Sequence, residues 1–358
     1  MEAVRTLRDH GLRIGELEPG GADSIADVAG VRVGHVTVHR DEPDPPAGRG
    51  IARSGVTAIV PGGPETLSAQ PASAGVAVLN GAGEMTGALE ISEWGLLQTP
   101  VYLTATMSVG RVLDGAVAVA VAADPTVGVE DVVIPVVAEC DDSWLNDARV
   151  VQVEAADAAR AVENAARGGP VAQGAVGAGT GMMCFEWKGG IGTASRMTEA
   201  NGSMVGVLVL ANFGVRSDLR VDGVPVGRLL GGGEAEAPTR PAGSCIAIVA
   251  TDAPLSAQQL TRVARRAGLG LARTGSVAHH GSGEIFLAFS TVRPATAPPE
   301  VPDEDLDPFF LATVDATEEA VLNALWNAER TEGREGRVVE ALPHDDVLAL
   351  LESHGRLG

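Results

Sequence analysis

The stretch PAGSCIAIVATDAPL (241–255) places a serine directly after a glycine and directly before an apolar run, 245–250. The hydroxyl of Ser244 lies beside the carbonyl of Gly243. If the fold twists that peptide, Oγ attacks the carbonyl carbon, the acyl group passes from nitrogen to oxygen, and water hydrolyses the ester. The chain is then cut. Ser244 is left with a free α-amine whose reference pKa of roughly 7.7–8.0 lets it take a proton near neutral pH. Glycine at 243 is expected because it tolerates strained backbone angles. On these residues alone, an ordinary Gly-Ser turn ahead of a strand accounts for the pair as well.

Other stretches offer less. GAGTGM (177–182) lacks the Lys-Ser/Thr of a phosphate-binding loop and reads as a tight turn. TMSVG (106–110) has no glycine two residues before its serine and is not a nucleophile elbow. His279 and His280 are adjacent and point to different sides of an extended chain, and no HxxH or HExxH spacing is present, so no metal is expected. A Ser-His-Asp triad stays open, because its members can lie anywhere in a chain. Asn212, at the end of an apolar run, reads as a strand-end turn residue, and Ser282-Gly283-Glu284 as a hairpin turn.

These residues must be held by the elements around them. Strands are expected over 31–39 and 55–63, in GVAVLN, in DVVIPVVAEC, over 204–214, after Ser244, and in GEIFLAFST. Helices are expected in GALEISEWG, over 155–169, in LSAQQLTRVARRAGLGLART, in DATEEAVLNALWNAER with its acidic residues in the first turn, and in HDDVLALLES. Residues 215–243, rich in Gly and Pro, read as a flexible exposed loop. Most strands are continuous apolar runs, so both faces of the sheet should be covered. The pattern is one α/β domain of layered sheets between helices, with no internal repeat and no second core.

Composition narrows the partners. A formal charge of −21 over 358 residues repels phosphate backbones and argues against nucleic acid. The short pair Arg265-Arg266 reads as a solvated helix face. Cys140, Cys184 and Cys245 form no disulfide framework and no CxxC pair, and read as small buried residues. The N-terminus lacks an apolar signal core, and runs such as GAVAVAVAA are too short to span a bilayer, so a cytoplasmic protein without membrane contact is expected.

In order along the chain come IADVAGVRVGHVT, LNGAGEMTG, VYLTATMSVGRV, VVAECDDSWLND, GAVGAGTGMMCFEWKGGIGTASR, VLVLANFG, GSCIAIVATDAPL, HGSGEIFLAFST and DATEEAVLNALWNAE…GREGRVVEALP. This series resembles the DmpA-type self-processing aminopeptidases, the L-aminopeptidase/D-alanyl-esterase-amidase and β-peptidyl aminopeptidase family, over nearly the whole length. The resemblance implies a four-layer αββα sandwich, similar to N-terminal-nucleophile hydrolases but with different strand connectivity. It implies processing between Gly243 and Ser244 into an α chain (1–243) and a β chain (244–358), with Ser244 as nucleophile. Ser282 and Glu284 match the serine and glutamate that help to activate it, and Asn212 the asparagine that stabilises the oxyanion. A substrate ammonium calls for a carboxylate at the pocket end. Glu139, Asp141 and Asp142 are available, and the family pattern points to Glu139, with Trp144 lining the pocket. Lys188 has no assigned role and reads as an exposed strand end.

The expected activity is release of small N-terminal D-, L- or β-amino acids from peptides, amides or esters through an acyl-enzyme, with no cofactor and in a homotetramer. An endo-acting amide-oligomer hydrolase is the near alternative, although those relatives carry threonine at the seam. A non-catalytic acidic binding or assembly protein on the same fold is the distant one.

Overall fold

The computed structural model describes residues 6–63, 67–198, 202–231, 242–294 and 301–357. Two sheets make its centre. The smaller holds β1 (Val31–Asp41), β2 (Ile51–Pro61), β5 (Val101–Ala105) and β6 (Val136–Cys140) in the order β1-β2-β5-β6. The larger holds β3 (Ala72–Gly81), β4 (Leu96–Leu97), β9 (Gly190–Met197), β10 (Met204–Asn212), β11 (Ala242–Thr251) and β12 (Gly281–Ser290) in the order β4-β3-β12-β11-β10-β9. Two short strands, β7 (Met183–Cys184) and β8 (Trp187–Lys188), form a hairpin beside the larger sheet.

Side-chain alternation along the strands makes the layers. On β10 and β11, Leu208, Leu210, Ile246 and Ile248 pack with Ile59, Leu103 and Ala138 of the smaller sheet, between the two sheets. Their neighbours Val207, Val209, Ala247 and Val249 pack the other way, against α5 (Ala257–Arg273) and α6 (Asp307–Trp326). The outer face of the smaller sheet, through Ala58, Tyr102 and Val137, is covered by α2 (Val109–Ala123) and α3 (Ala156–Ala166). The result is a helix–sheet–sheet–helix sandwich, as the unbroken apolar strands require. Each fully buried Ile or Leu of the middle layer contributes about 1.5–3 kcal/mol. The remaining helices are α1 (Ala88–Trp94), α4 (Val226–Leu229) and α7 (His344–Ser353).

Three expectations fail here. Helix α6 begins at Asp307, well before Asp315, so Asp315, Glu318 and Glu319 are not a first turn facing a helix dipole. They are buried mid-helix and paired with arginines instead: Arg8 with Glu319 at 3.0 Å, Arg273 with Asp315 at 2.5 Å, and the fully buried Arg196 with Glu319. Tertiary ion pairing, not the dipole, set that composition. Residues 215–231 are not a loose loop. They carry a 3-10 turn (Arg216–Asp218) and α4, and bury Leu219, Val221, Val224 and Val226 in the main core. The segment 232–241, where the rest of the expected loop falls, lies outside the described residues. Finally, Thr106–Ala123 is, by length and composition, apolar enough to cross a membrane. In this fold Val112 and Ala116 on that segment join the core under the smaller sheet.

Candidate active site

The Gly243-Ser244 peptide lies inside β11 rather than ahead of it. Strand β10 flanks it antiparallel on one side, with Asn212 opposite Ser244. Strand β12 flanks it parallel on the other, with Ser282 opposite Gly243, Gly283 opposite Ser244 and Glu284 opposite Cys245. Three segments far apart in sequence are thereby fixed to within one residue of the seam. All four polar residues are buried: Ser244 and Asn212 are 5% and 6% exposed, Ser282 2%, and Glu284 not at all.

The alternation divides them. Ser244 and Asn212 share the parity of Ile246 and Leu210 and belong to the face between the sheets. Ser282 and Glu284 take the parity of Gly243 and Cys245, on the face toward the helices. Ser244 Oγ donates to the Gly243 carbonyl oxygen at 2.7 Å, which seats the hydroxyl against the bond it would cut. Asn212 is clamped from both ends of its amide. Its Oδ1 accepts from Met183 N–H at 2.8 Å, and its Nδ2 donates to the Asp141 carbonyl at 2.9 Å. The amide nitrogen carries a second N–H besides the one bonded to Asp141. On the opposite face, Ser282 Oγ donates to Glu284 Oε1, while Glu284 Oε2 has no partner among the described residues. Burial raises the Glu284 pKa, whereas the Ser282 hydrogen bond and the charge of His279 pull it down.

Gly243 serves a purpose other than the expected one. Its backbone is extended and needs no left-handed angle. Space is what it supplies: a Cβ there would stand 2.5 Å from the Asn212 carbonyl oxygen and 2.7 Å from Phe213 Cα. Gly283 is equally confined, since a Cβ would meet the Ala82 carbonyl oxygen at 2.6 Å. That closeness lets the turn after β3 lie over the seam and reach Glu139, whose Oε1 accepts from Glu84 N–H at 2.9 Å and whose Oε2 accepts from Thr106 Oγ1. Burial raises the Glu139 pKa, against the lowering effect of these two bonds. Trp144 is not brought into this set. The contact made by its ring is the Arg337 guanidinium, 4.2 Å from the ring centroid.

Sequence reasoning missed Lys188. It is completely buried, not an exposed strand end. Its Nζ donates to the carbonyls of Gly179, Met182 and Gly189 at 3.1, 2.7 and 2.8 Å, tying together the segment whose Met183 N–H holds Asn212. Burial pushes its pKa down to about 7, with buried Asp142 pulling the other way. Three donors meeting three acceptors nevertheless suit the ammonium, since a neutral amine has only two. A signal was present: Lys188 is the chain's only lysine, every other strongly basic residue being arginine. A planar guanidinium does not fit a compact three-carbonyl cage.

Residues 23–339 match Peptidase family S58. The chain is 41% identical over 369 residues to the beta-peptidyl aminopeptidase of Sphingosinicella microcystinivorans, covering 95% of this chain and 90% of that one. Its fold matches the beta-aminopeptidase of a Burkholderia species with a TM-score of 0.89 at 43% identity, covering 98% and 99% of the two chains. It also matches the L-aminopeptidase D-Ala-esterase/amidase of Ochrobactrum anthropi, described as a prototype for the serine aminopeptidases and a new variant among the Ntn hydrolase fold. That TM-score is 0.88 at 39% identity, covering 99% of each chain. The chain therefore belongs to peptidase family S58 and is a serine aminopeptidase on a variant of the N-terminal-nucleophile hydrolase fold.

Proposed function

We propose that the chain cuts itself between Gly243 and Ser244, and that Ser244, now the N-terminus of a chain of residues 244–358, removes N-terminal β-amino acids from peptides and amides. The observation that carries this is the Ser244 hydroxyl held 2.7 Å from the scissile carbonyl oxygen, with the Asn212 amide opposite. Oγ adds to the Gly243 carbonyl carbon. The Asn212 N–H stabilises the oxyanion. The C–N bond breaks, nitrogen takes a proton, and water hydrolyses the ester to leave a carboxylate on Gly243 and an amine on Ser244. In turnover that amine takes the Oγ proton as Oγ attacks the substrate carbonyl, and passes it to the departing amine; water then releases the acyl group. Ser282 and Glu284, flanking the same backbone from the helix side, hold the amine through the unpartnered Glu284 oxygen. Glu139 holds the substrate ammonium.

Two relatives are named for β-amino substrates, which favours a β-residue over a D- or L-α-residue at the N-terminus. A panel of N-terminal amino-acid nitroanilides tests this: β-homoalanine and β-alanine derivatives should turn over fastest, and N-acetylation should abolish activity. Unchanged activity on acetylated substrates would indicate an endo-acting amide hydrolase instead. We also propose assembly of the processed chains into a homo-oligomer, a tetramer by resemblance to the family. Val117 and Val121 on α2, with Val129, Val132 and Ile134 after it, are exposed apolar side chains suited to such contacts. Light scattering reads the mass directly.

A further inference from the structure

Lys188 plays no part in the chemistry assigned above, yet its ammonium reaches that chemistry through a single peptide group. Nζ donates to the Met182 carbonyl oxygen at 2.7 Å. The nitrogen of that same peptide belongs to Met183, and its N–H donates to Asn212 Oδ1 at 2.8 Å. A charge, a peptide and the Asn212 amide therefore stand in series. The far end of the series is Asn212 Nδ2, which gives one N–H to the Asp141 carbonyl at 2.9 Å and carries a second.

The partners at both ends dictate which way round the Asn212 amide lies. A backbone N–H only donates, so it faces Oδ1; a carbonyl only accepts, so it faces Nδ2. The cage around Nζ is equally determined. Besides Met182 it consists of the carbonyls of Gly179 and Gly189, at 3.1 and 2.8 Å, and three acceptors take all three protons of an ammonium. Neither glycine has room for a side chain: a Cβ would stand 2.6 Å from Ile191 N at Gly179, and 2.7 Å from the Ala211 carbonyl oxygen at Gly189. The Met182 carbonyl also accepts from Gly189 N–H at 3.1 Å, which fixes its peptide further. Of the titratable groups around Nζ, buried Asp142 favours the ammonium against the effect of burial, and the Cys184 thiol on β7 is kept neutral by its own burial.

We propose that Lys188 is a positioning residue for the oxyanion site: its ammonium polarises the Met182–Met183 peptide, so that Met183 N–H holds Asn212 Oδ1 firmly and the second N–H of the amide is strengthened and turned toward the seam. Aligned hydrogen bonds reinforce one another, and a charged donor at the head of the series is about twice as strong as a neutral one. This rests on Asn212 stabilising the oxyanion. It applies to self-cleavage and to turnover alike, and no bond to Lys188 is made or broken.

The test is a double-mutant cycle, read as the rate of chain cleavage by intact mass and as kcat and KM of the matured enzyme on a nitroanilide. Lys188→Met keeps the reach of the side chain and removes the charge and its donors. It should slow cleavage and lower kcat and kcat/KM together, by up to about a hundredfold. In an Asn212→Ala background the same substitution should cost several-fold less. Lys188→Gln, which keeps two neutral N–H donors, should fall between wild type and Lys188→Met, and serves where the methionine variant does not fold. Wild-type rates in a folded Lys188 variant, a rise in KM alone, or a loss of equal size with and without Asn212 overturns the proposal. The wild-type protein gives a readout free of any substitution: because Lys188 is the only lysine, 15N-lysine labelling yields one side-chain nitrogen resonance. It should be that of an ammonium at the pH at which the enzyme works, and a neutral amine there overturns the proposal as well. Asn212→Ala alone separates the two ideas. Unchanged rates would remove Asn212 from the oxyanion site, whereas a fall in rate with the Lys188 variants unaffected would keep Asn212 and remove Lys188.

Discussion

The two faces of the larger sheet at the seam differ in what they offer Ser244. Toward the smaller sheet lie Asn212, the clamp of Met183 N–H and Asp141 carbonyl that fixes it, and the Ser244 hydroxyl. Toward the helices lie Ser282, Glu284 and His279, which bring a buried carboxylate and a hydroxyl. A residue that uses both its side chain and its own backbone nitrogen needs partners on both sides of a strand, because side chains alternate while the nitrogen lies between. Placing the serine on a central strand, between an antiparallel and a parallel neighbour, supplies both.

Substitutions can break this division. Asn212→Ala on the first face should lower kcat about 10²- to 10³-fold with a smaller change in KM, the size seen when one oxyanion donor is lost. An equal fall in kcat/KM from higher KM alone would make Asn212 a substrate contact. Glu284→Gln on the second face should lower kcat by about a hundredfold or less and slow processing; wild-type rates would show that the nitrogen needs no carboxylate. Glu139→Gln should raise KM about tenfold, the loss of one charge-assisted hydrogen bond. The sign follows from ionisation. The ammonium is held by the carboxylate form, and burial has raised that pKa, so binding weakens as pH falls through a range above the ordinary glutamate value of about 4.3. In Glu139→Gln this limb of 1/KM should vanish. Trp144→Ala should change kcat/KM less than about twofold, because its ring is engaged by Arg337; a large rise in KM would return it to the pocket.

Much of this was legible from residue order. Unbroken apolar runs at 204–212 and 245–250 required sheets covered on both faces, and the structure has them. The family resemblance supplied the seam and its companions. Long-range partners were not legible. The mid-helix acids of α6 look like a helix start until Arg8, Arg196 and Arg273 are seen beside them. The half of the Gly/Pro-rich stretch that precedes 232 folds because Leu219, Val221, Val224 and Val226 find a core that local composition does not reveal. Gly243 was expected for its torsional freedom, whereas the Asn212 carbonyl leaves no room for a Cβ. Lys188 read as an exposed strand end because no local pattern marks a cage of three backbone carbonyls.

The central claim is that one serine first cuts its own chain and then serves as nucleophile. Intact-mass spectrometry of the purified wild-type protein and of Ser244→Ala tests it most directly. The wild type should appear as two species divided between Gly243 and Ser244, with a nitroanilide-derived acyl group trapped on the smaller one, and the alanine variant as one uncut, inactive chain. An active wild type of full-length mass, or an alanine variant that is still cut at the same bond, would contradict it.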